Sequence, residues 1–252
     1  VKLSGVLSKV VNFLYPYGNC RICGKEIKVG FSGICFYCLK TIKRIKGNCC
    51  KICGRTLPEN LEEERVCGLC LKESPPYKRH ISAYYYEGAI RDLVLQFKIG
   101  KRYQLAKLFA KAISRNVKEK YEGIDFDFVT YIPSPFLRRL LRGFCPAELI
   151  ALECSKKLKI PLKNILTFNK RVKPQKGLTQ KQRKENLKNG FNCSYPFSRG
   201  AKILLIDDIF TTGTTLFESA KVIKFAKGEV FAATFAQRKR REIEMIEEGI
   251  ED

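Results

Sequence analysis

Apolar positions along the chain separate a region of short, irregular hydrophobic contacts from one of regular strands and helices. The first eighteen residues repeat Leu3, Val6, Leu7, Val10, Val11 and Leu14 at helical spacing with Lys2 and Lys9 between them, which predicts an amphipathic helix over 1–18. Residues 19–72 show no sustained period. From Ile81 the pattern changes. Ile81 to Glu87 is aromatic-rich and predicts a strand, Ile90–Lys98 and Tyr103–Ile113 carry apolar stripes at helical spacing, and Phe128–Ile132 predicts a second strand. A helix from about Pro146 to Lys157 follows. Ile203-Leu204-Leu205-Ile206 is an unbroken apolar run fit for a strand covered on both faces, a helix carries Leu216, Ala220, Val222, Ile223 and Ala226, and Val230–Ala236 predicts the last strand. Strands alternating with helices predict an α/β domain with a Rossmann-like parallel sheet over 81–252, joined through a polar linker, 73–80, to a small module over 19–72.

Cysteine spacing gives the small module its chemistry. Eight of the twelve cysteines form four Cys-x-x-Cys pairs: Cys20/Cys23, Cys35/Cys38, Cys50/Cys53 and Cys67/Cys70. Two intervening residues suit a knuckle that directs both thiolates at one metal, and four thiolates complete a tetrahedral zinc site. Eight ligands predict two structural zinc ions, in a module too small to fold well on its apolar residues alone. The spacing allows sequential ribbons or an interleaved cross-brace. Cys49, next to Cys50, is a spare thiol able to replace it.

The chain of 252 residues has 48 Lys and Arg against 25 Asp and Glu, a net charge of +23. That excess favours phosphorylated small molecules or nucleic acid as partners. No apolar run approaches the roughly 18 residues of a membrane span, and no small-residue cleavage site follows the first helix, so the expectation is a cytoplasmic protein without stable membrane insertion. A single histidine, His80, makes a Ser-His-Asp hydrolase improbable and is expected at the surface of the linker.

The strand 203–206 runs into Asp207 and Asp208 and then Thr211-Thr212-Gly213-Thr214-Thr215 ahead of a helix. Strand side chains alternate between faces, so the two acids reach different groups. The loop offers hydroxyls and backbone N–H groups at a helix N-terminus, a natural anion site, with a glycine for tight curvature. Acids for hydroxyls beside donors for a phosphate fit a sugar phosphate. Pro133-Ser134-Pro135 ends the 128–132 strand, and Arg138, Arg139 and Arg142 follow in a predicted loop where guanidinium forks suit pyrophosphate oxygens. Lys98, Lys101 and Arg102 are expected to be solvated. A long basic stretch from Asn169 to Phe191 is expected to close over an anionic substrate.

The acid pair and its Thr/Gly loop resemble the ribose-phosphate motif of type I phosphoribosyltransferases. The wider order of four cysteine pairs, Phe97-Lys98, Pro133-Ser134-Pro135, Arg138, Arg142-Gly143-Phe144, Gln175, Arg183, Asn186, Gly190-Phe191 and Asp207-Asp208 resembles the ComF family. One departure is Cys145-Pro146-Ala147, where the family usually has Asn-Gln-Ala. The resemblance implies a double zinc ribbon fused to a phosphoribosyltransferase-like domain and, for some members, a part in uptake of transforming DNA. It implies that Asp207 and Asp208 take the ribose hydroxyls of phosphoribosyl pyrophosphate and Thr211–Thr215 its 5-phosphate. Ser134, Arg138, Arg139, Arg142, Gln175 and Arg183 would serve the pyrophosphate and hood, with magnesium carried by the ligand. Catalysis by such a site rests on positioning and leaving-group stabilisation. The alternative is a non-catalytic protein that binds single-stranded DNA or DNA-uptake proteins and keeps a nucleotide-sensing or vestigial pocket.

Overall fold

The computed structural model describes residues 17–28, 34–58, 65–169, 190–194 and 196–239. Residues 1–16 of the predicted N-terminal helix, nearly all of the basic stretch 169–191 with Gln175, Arg183 and Asn186, and the acidic tail lie outside the described residues; the last two positions of that predicted helix, Tyr17 and Gly18, are instead in a strand, β1 (Tyr17–Asn19), which pairs antiparallel with β2 (Glu26–Lys28).

A four-stranded parallel sheet lies at the centre, with strand order β3-β8-β7-β4: β3 (Arg79–Tyr85), β4 (Phe128–Tyr131), β7 (Lys202–Phe210) and β8 (Glu229–Gln237). The apolar run of β7 is covered on both faces, as such runs are in parallel sheets. Leu204 and Ile206 enter one core with α3 (Gly88–Lys98), α4 (Leu105–Lys120) and α6 (Pro146–Leu158). Ile203 and Leu205 enter the other, with α7 (Thr214–Phe225) and the small antiparallel pair β5 (Leu166–Phe168) and β6 (Phe191–Cys193). The expected α/β fold class, with a Cys-rich module ahead of a parallel sheet, is the one observed.

The Cys-rich module divides between these two cores. Cys20, Ile22 and Cys38 join the first. Cys50, Cys53, Leu57, Cys67, Cys70 and Tyr77 join the second. The segment between the ribbons crosses from one face to the other along the edge of the sheet. Tyr85 N–H donates to Lys43 C=O and Ile45 N–H to Ala83 C=O, which adds a short antiparallel rung to β3 and covers that edge.

Two elements differ from the pattern-based reading. The stretch after Pro135 is α5 (Phe136–Arg142), not a loop: Pro135 precedes its first turn and Gly143, at φ +83°, accepts the left-handed position that ends it. β7 does not end at the acids but runs on to Phe210, because β8 continues beside it to Gln237. β4 stops earlier, its last ladder pair being Tyr131 with Ile206. Beyond that point the β4 side of β7 is open, and Asp207 and Asp208 stand at the opening.

Candidate functional site

The eight predicted zinc ligands form two sets, Cys20/Cys23/Cys35/Cys38 and Cys50/Cys53/Cys67/Cys70, each with its sulfurs within 4.8 Å of one another. The pairing is therefore sequential, first knuckle with second and third with fourth. A tetrahedron with Zn–S bonds of about 2.3 Å has edges of about 3.8 Å. The Cys23–Cys35 and Cys53–Cys67 sulfurs are 3.8 and 3.7 Å apart. Backbone N–H groups point at the thiolates, Cys35 to Cys20 Sγ, Cys38 to Cys35 Sγ and Cys67 to Cys50 Sγ, each at 3.3 Å, the arrangement that stabilises charged sulfur at a metal. The donor sets fit zinc. Cys49 belongs to neither set, and its backbone pairs with Thr56.

The two knuckles are built alike. In the first, Cys20 N–H donates to Lys25 C=O and Gly24 N–H to Cys20 C=O; in the second, Cys50 donates to Arg55 and Gly54 to Cys50. The second cysteine pair of each ribbon repeats too: Cys35 and Cys67 each precede a five-residue helix, α1 (Phe36–Lys40) and α2 (Gly68–Lys72).

At the open edge of β7, Asp208 accepts a hydrogen bond from Lys98 Nζ at 2.8 Å, a partly buried ion pair. Lys98, expected to be solvated, is thus a site residue, carried there by the C-terminal end of α3. Asp207 Oδ1 accepts from the Asp208 N–H at 2.8 Å. Burial and then the negative charge of Asp208 push the Asp207 carboxyl up to about 8, partly opposed by Lys98. The direction of the shift favours keeping a proton on Asp207 beside the Asp208 carboxyl.

The loop beyond closes on itself: Thr212 and Thr214 hydroxyls lie 3.0 Å apart and Thr214 N–H points at Thr212 Oγ1 at 3.4 Å. Gly213 precedes α7 at φ +89°, and a Cβ there would lie 2.9 Å from the Phe210 ring, so the tight loop depends on glycine. Gly213 at the N-cap has no side chain to cap α7, so beyond the long contact of Thr214 N–H with Thr212 Oγ1 the first turn offers N–H groups suited to an anion. Thr211 and Thr215 flank this cradle, Thr215 C=O accepting from Ser219 Oγ.

The arginine segment is tied to the acids through aromatic contacts. Arg142 lies over the Phe144 ring at 6.0 Å, and Phe144 meets Phe97 at 5.5 Å and Tyr103 at 4.8 Å, one residue from Lys98. Arg139 pairs with Glu148 at 3.6 Å. Arg138 projects from the same helix, α5, whose Phe136, Leu137, Leu140 and Leu141 are all exposed. Ser134 donates to the buried Cys145 sulfur at 3.4 Å, so the cysteine of the unusual Cys145-Pro146-Ala147 sequence is a packed core residue that holds the Ser134 turn.

His80 is not at the surface. It is 0% exposed within β3, its Nδ1 bonded to Cys53 C=O at 2.9 Å, its Nε2 to Thr234 Oγ1 at 3.0 Å, and its ring stacked on Phe210 at 4.2 Å. Burial holds the imidazole down at about 4, so it is neutral. It joins the second zinc knuckle to the strand that carries the acids.

Comparison with known proteins adds a third line. The family described as a double zinc ribbon domain matches residues 10–71. The chain is 28% identical over 215 residues to Competence protein F of Haemophilus influenzae, covering 82% of this chain and 90% of that one. It is 28% identical over 210 residues to DNA utilization protein YhgH of Escherichia coli, again over 82% and 90%. Competence protein ComFC of Bacillus subtilis is 27% identical over 197 residues, 75% of this chain and 77% of that one. Solved structures similar to it include an adenine phosphoribosyltransferase, with a TM-score of 0.39 and 11% identity over 63% of this chain and 81% of that one. An orotate phosphoribosyltransferase from Aeropyrum pernix has a TM-score of 0.33 and 15% identity over 67% and 75%. At these scores no role is drawn from the structural overlap.

Proposed function

The chain is a ComF-family protein, and from that premise we propose that its α/β domain binds phosphoribosyl pyrophosphate with magnesium and acts in the handling of incoming DNA. The carrying observation is the pairing, at one open sheet edge, of Asp207 and Asp208 with the Thr211–Thr215 loop on the N-terminus of α7. The acids take ribose hydroxyls, the loop takes the 5-phosphate, and Lys98 holds Asp208 in place. Arg138 and Arg142 on α5, with Ser134, are assigned to the pyrophosphate, and Arg139 braces that helix through Glu148. Magnesium would arrive on the ligand's own oxygens. Departure of pyrophosphate needs no protein nucleophile, only positioning and charge stabilisation. The role in DNA uptake rests on the names of the relatives.

Titration calorimetry tests the site. Wild-type protein is expected to bind phosphoribosyl pyrophosphate saturably in the presence of magnesium, and Asp207→Asn combined with Asp208→Asn to abolish it; full binding by the double variant would refute the assignment.

A second reading, binding of single-stranded DNA, is favoured by a different region. A cleft of about 510 Å³ between the inter-ribbon segment and α4 is lined by Arg44, Lys46, Lys51, Arg79, Arg115 and Lys120, with Glu119 as its one acid. Tyr84 in the same cleft offers a ring for a base, at present covered by Arg44 at 6.0 Å. Oligonucleotide affinity measured by anisotropy should fall steeply with salt, as phosphate contacts demand. Lys46→Glu with Arg115→Glu should weaken it without affecting the sugar-phosphate site. Unchanged affinity would exclude the cleft.

A further inference from the structure

We infer that the second zinc ribbon is a working part of the sugar-phosphate site, because it supplies Arg55 as the residue that positions the phosphate loop. The inference rests on the assignment of Thr211–Thr215 to the 5-phosphate. Arg55 directly follows Gly54 of the second knuckle, and its backbone C=O is fixed there by the Cys50 N–H at 2.7 Å. Its side chain crosses to the other domain. Nη2 donates to Thr212 C=O at 2.8 Å, and the guanidinium lies over the Phe210 ring at 5.3 Å.

The bond sets the direction of a peptide plane. All described peptides are trans, and in a trans peptide the C=O of one residue and the N–H of the next point opposite ways. Holding Thr212 C=O towards the ribbon therefore turns the Gly213 N–H to the loop's other face. The same Phe210 ring blocks any side chain at Gly213, so Arg55, Phe210 and Gly213 form one support beneath the loop. Packing alone does not replace that support. On the ribbon side the loop borders an open cleft of about 600 Å³, lined by Arg55, Tyr77, Thr212, Gly213 and Thr214 among others, rather than close-packed core.

Arg55 is also electrically unusual. It is only 8% exposed, its Nε is buried without a hydrogen-bond partner, and it pairs with no carboxylate among the described residues. A buried cation is costly unless its charge is balanced, and Arg55, two residues from Cys53, stands beside the second cysteine set, which with zinc bound carries a net negative charge. Beneath a loop assigned to a phosphate dianion it faces a second negative charge when the ligand is bound, so its reach from the ribbon to Thr212 suits the liganded state. The ribbon itself is fixed to β3 and β8 by three further bonds, His80 Nδ1 with Cys53 C=O, His80 N–H to Ile52 C=O and Gln237 Nε2 to Gly54 C=O.

The test compares wild type, Arg55→Ala and Arg55→Lys in calorimetric titrations with ribose 5-phosphate and, separately, with pyrophosphate and magnesium. Zinc content per chain and amide hydrogen exchange at Thr212–Thr215 are measured on the ligand-free proteins. Arg55→Ala is expected to keep its zinc, to weaken ribose 5-phosphate about tenfold or more, and to leave pyrophosphate within about twofold. Arg55→Lys, which keeps the charge and one donor but not the planar stack, should recover part of the loss. Exchange in the loop should quicken in Arg55→Ala. Unchanged ribose 5-phosphate affinity would overturn the inference, and so would equal loss of both ligands or loss of zinc, since either marks collapse of the ribbon rather than positioning of the loop. If wild type binds neither ligand, the phosphoribosyl reading fails and exchange decides alone: an unaltered loop in Arg55→Ala removes the positioning role.

Discussion

The two zinc ribbons share one local chemistry and have opposite surroundings. Each uses Cys-x-x-Cys-Gly, the same pair of backbone bonds across the knuckle and a short helix at its second cysteine pair. The first joins the core on the α3, α4 and α6 face of the sheet, with Cys23 exposed and Cys35 half-buried; the second joins the opposite core with all four cysteines buried. Their knuckle carbonyls are also read differently. Ile22 and Arg21 accept from Gln96 and Arg102, at the end of α3 that carries Lys98 to Asp208. Cys53 and Gly54 accept from His80 and Gln237, buried residues of β3 and β8. A metal site repeated in sequence is thus used once near the rim and once as an interior joint. What separates the two roles is the domain each packs on and not the ligand set.

The knuckle glycines break this comparison most directly. Gly24 and Gly54 both have positive φ, +74° and +66°, so replacing either by alanine costs about 1–2 kcal/mol of backbone strain. A Cβ at Gly24 would meet nothing within 4 Å, whereas at Gly54 it would lie 2.4 Å from the backbone oxygen of His80. Gly54→Ala must therefore push the ribbon off β3, and should cost roughly 3 kcal/mol or more beyond Gly24→Ala. In thermal melts of the zinc-loaded protein that is a further drop of about 5 °C or more. Equal melting temperatures for the two variants would show that the second ribbon is no more tightly joined than the first.

Metal release gives the next contrast. Opening a knuckle to a chelator needs only local fluctuation where the ligands are exposed, and a larger unfolding where they are buried and tied to the sheet. Zinc should leave in two phases, the first ribbon at least about tenfold faster, followed with a chromogenic chelator. Cys23→Ser should remove the fast phase and leave the slow one. A single phase in wild type would mean that both sites open together.

Much of this was legible in the sequence where a requirement is local. Metal ligation imposes a spacing of two residues, and a doubly covered strand imposes a continuous apolar run, so the eight cysteines and the core of β7 stand out without a structure. The choice between sequential and interleaved pairing did not, because it depends on how the four pairs fold back. Arg55, His80 and Lys98 were missed for the same reason: they reach Thr212, Thr234 and Asp208 across 157, 154 and 110 positions, contacts that leave no periodic trace. His80 was further disguised by the polar, proline-containing run ahead of it, although β3 already begins at Arg79. For Lys98 there was one usable signal, its place beside Phe97 in the ComF resemblance. The extent of β7 was misjudged because strand length is set by the neighbour, and β8 runs further than β4.

The smallest effect concerns charge and distinguishes the first ribbon's side of the site from the second's. Arg55 acts on the phosphate loop, while Lys98 acts on the acids, of which Asp207 carries a raised pKa. Asp207 is raised from an ordinary carboxyl value to about 8, chiefly by burial and by Asp208. The folded state therefore holds a proton that the unfolded chain has already lost above about pH 4, so ligand-free stability falls as pH rises from about 4 through 8. Ligand affinity runs the other way: a deprotonated Asp207 accepts ribose hydroxyls better, so phosphoribosyl pyrophosphate with magnesium should bind several-fold more tightly at pH 9 than at pH 7. Lys98 opposes the upward shift. Lys98→Met should accordingly move the midpoint of the affinity profile to higher pH, while Arg55→Ala should lower affinity at every pH and leave the midpoint where it is. Calorimetry across that range separates the two sides, and a midpoint unmoved by Lys98→Met would sever the link between α3 and the titration of the acids.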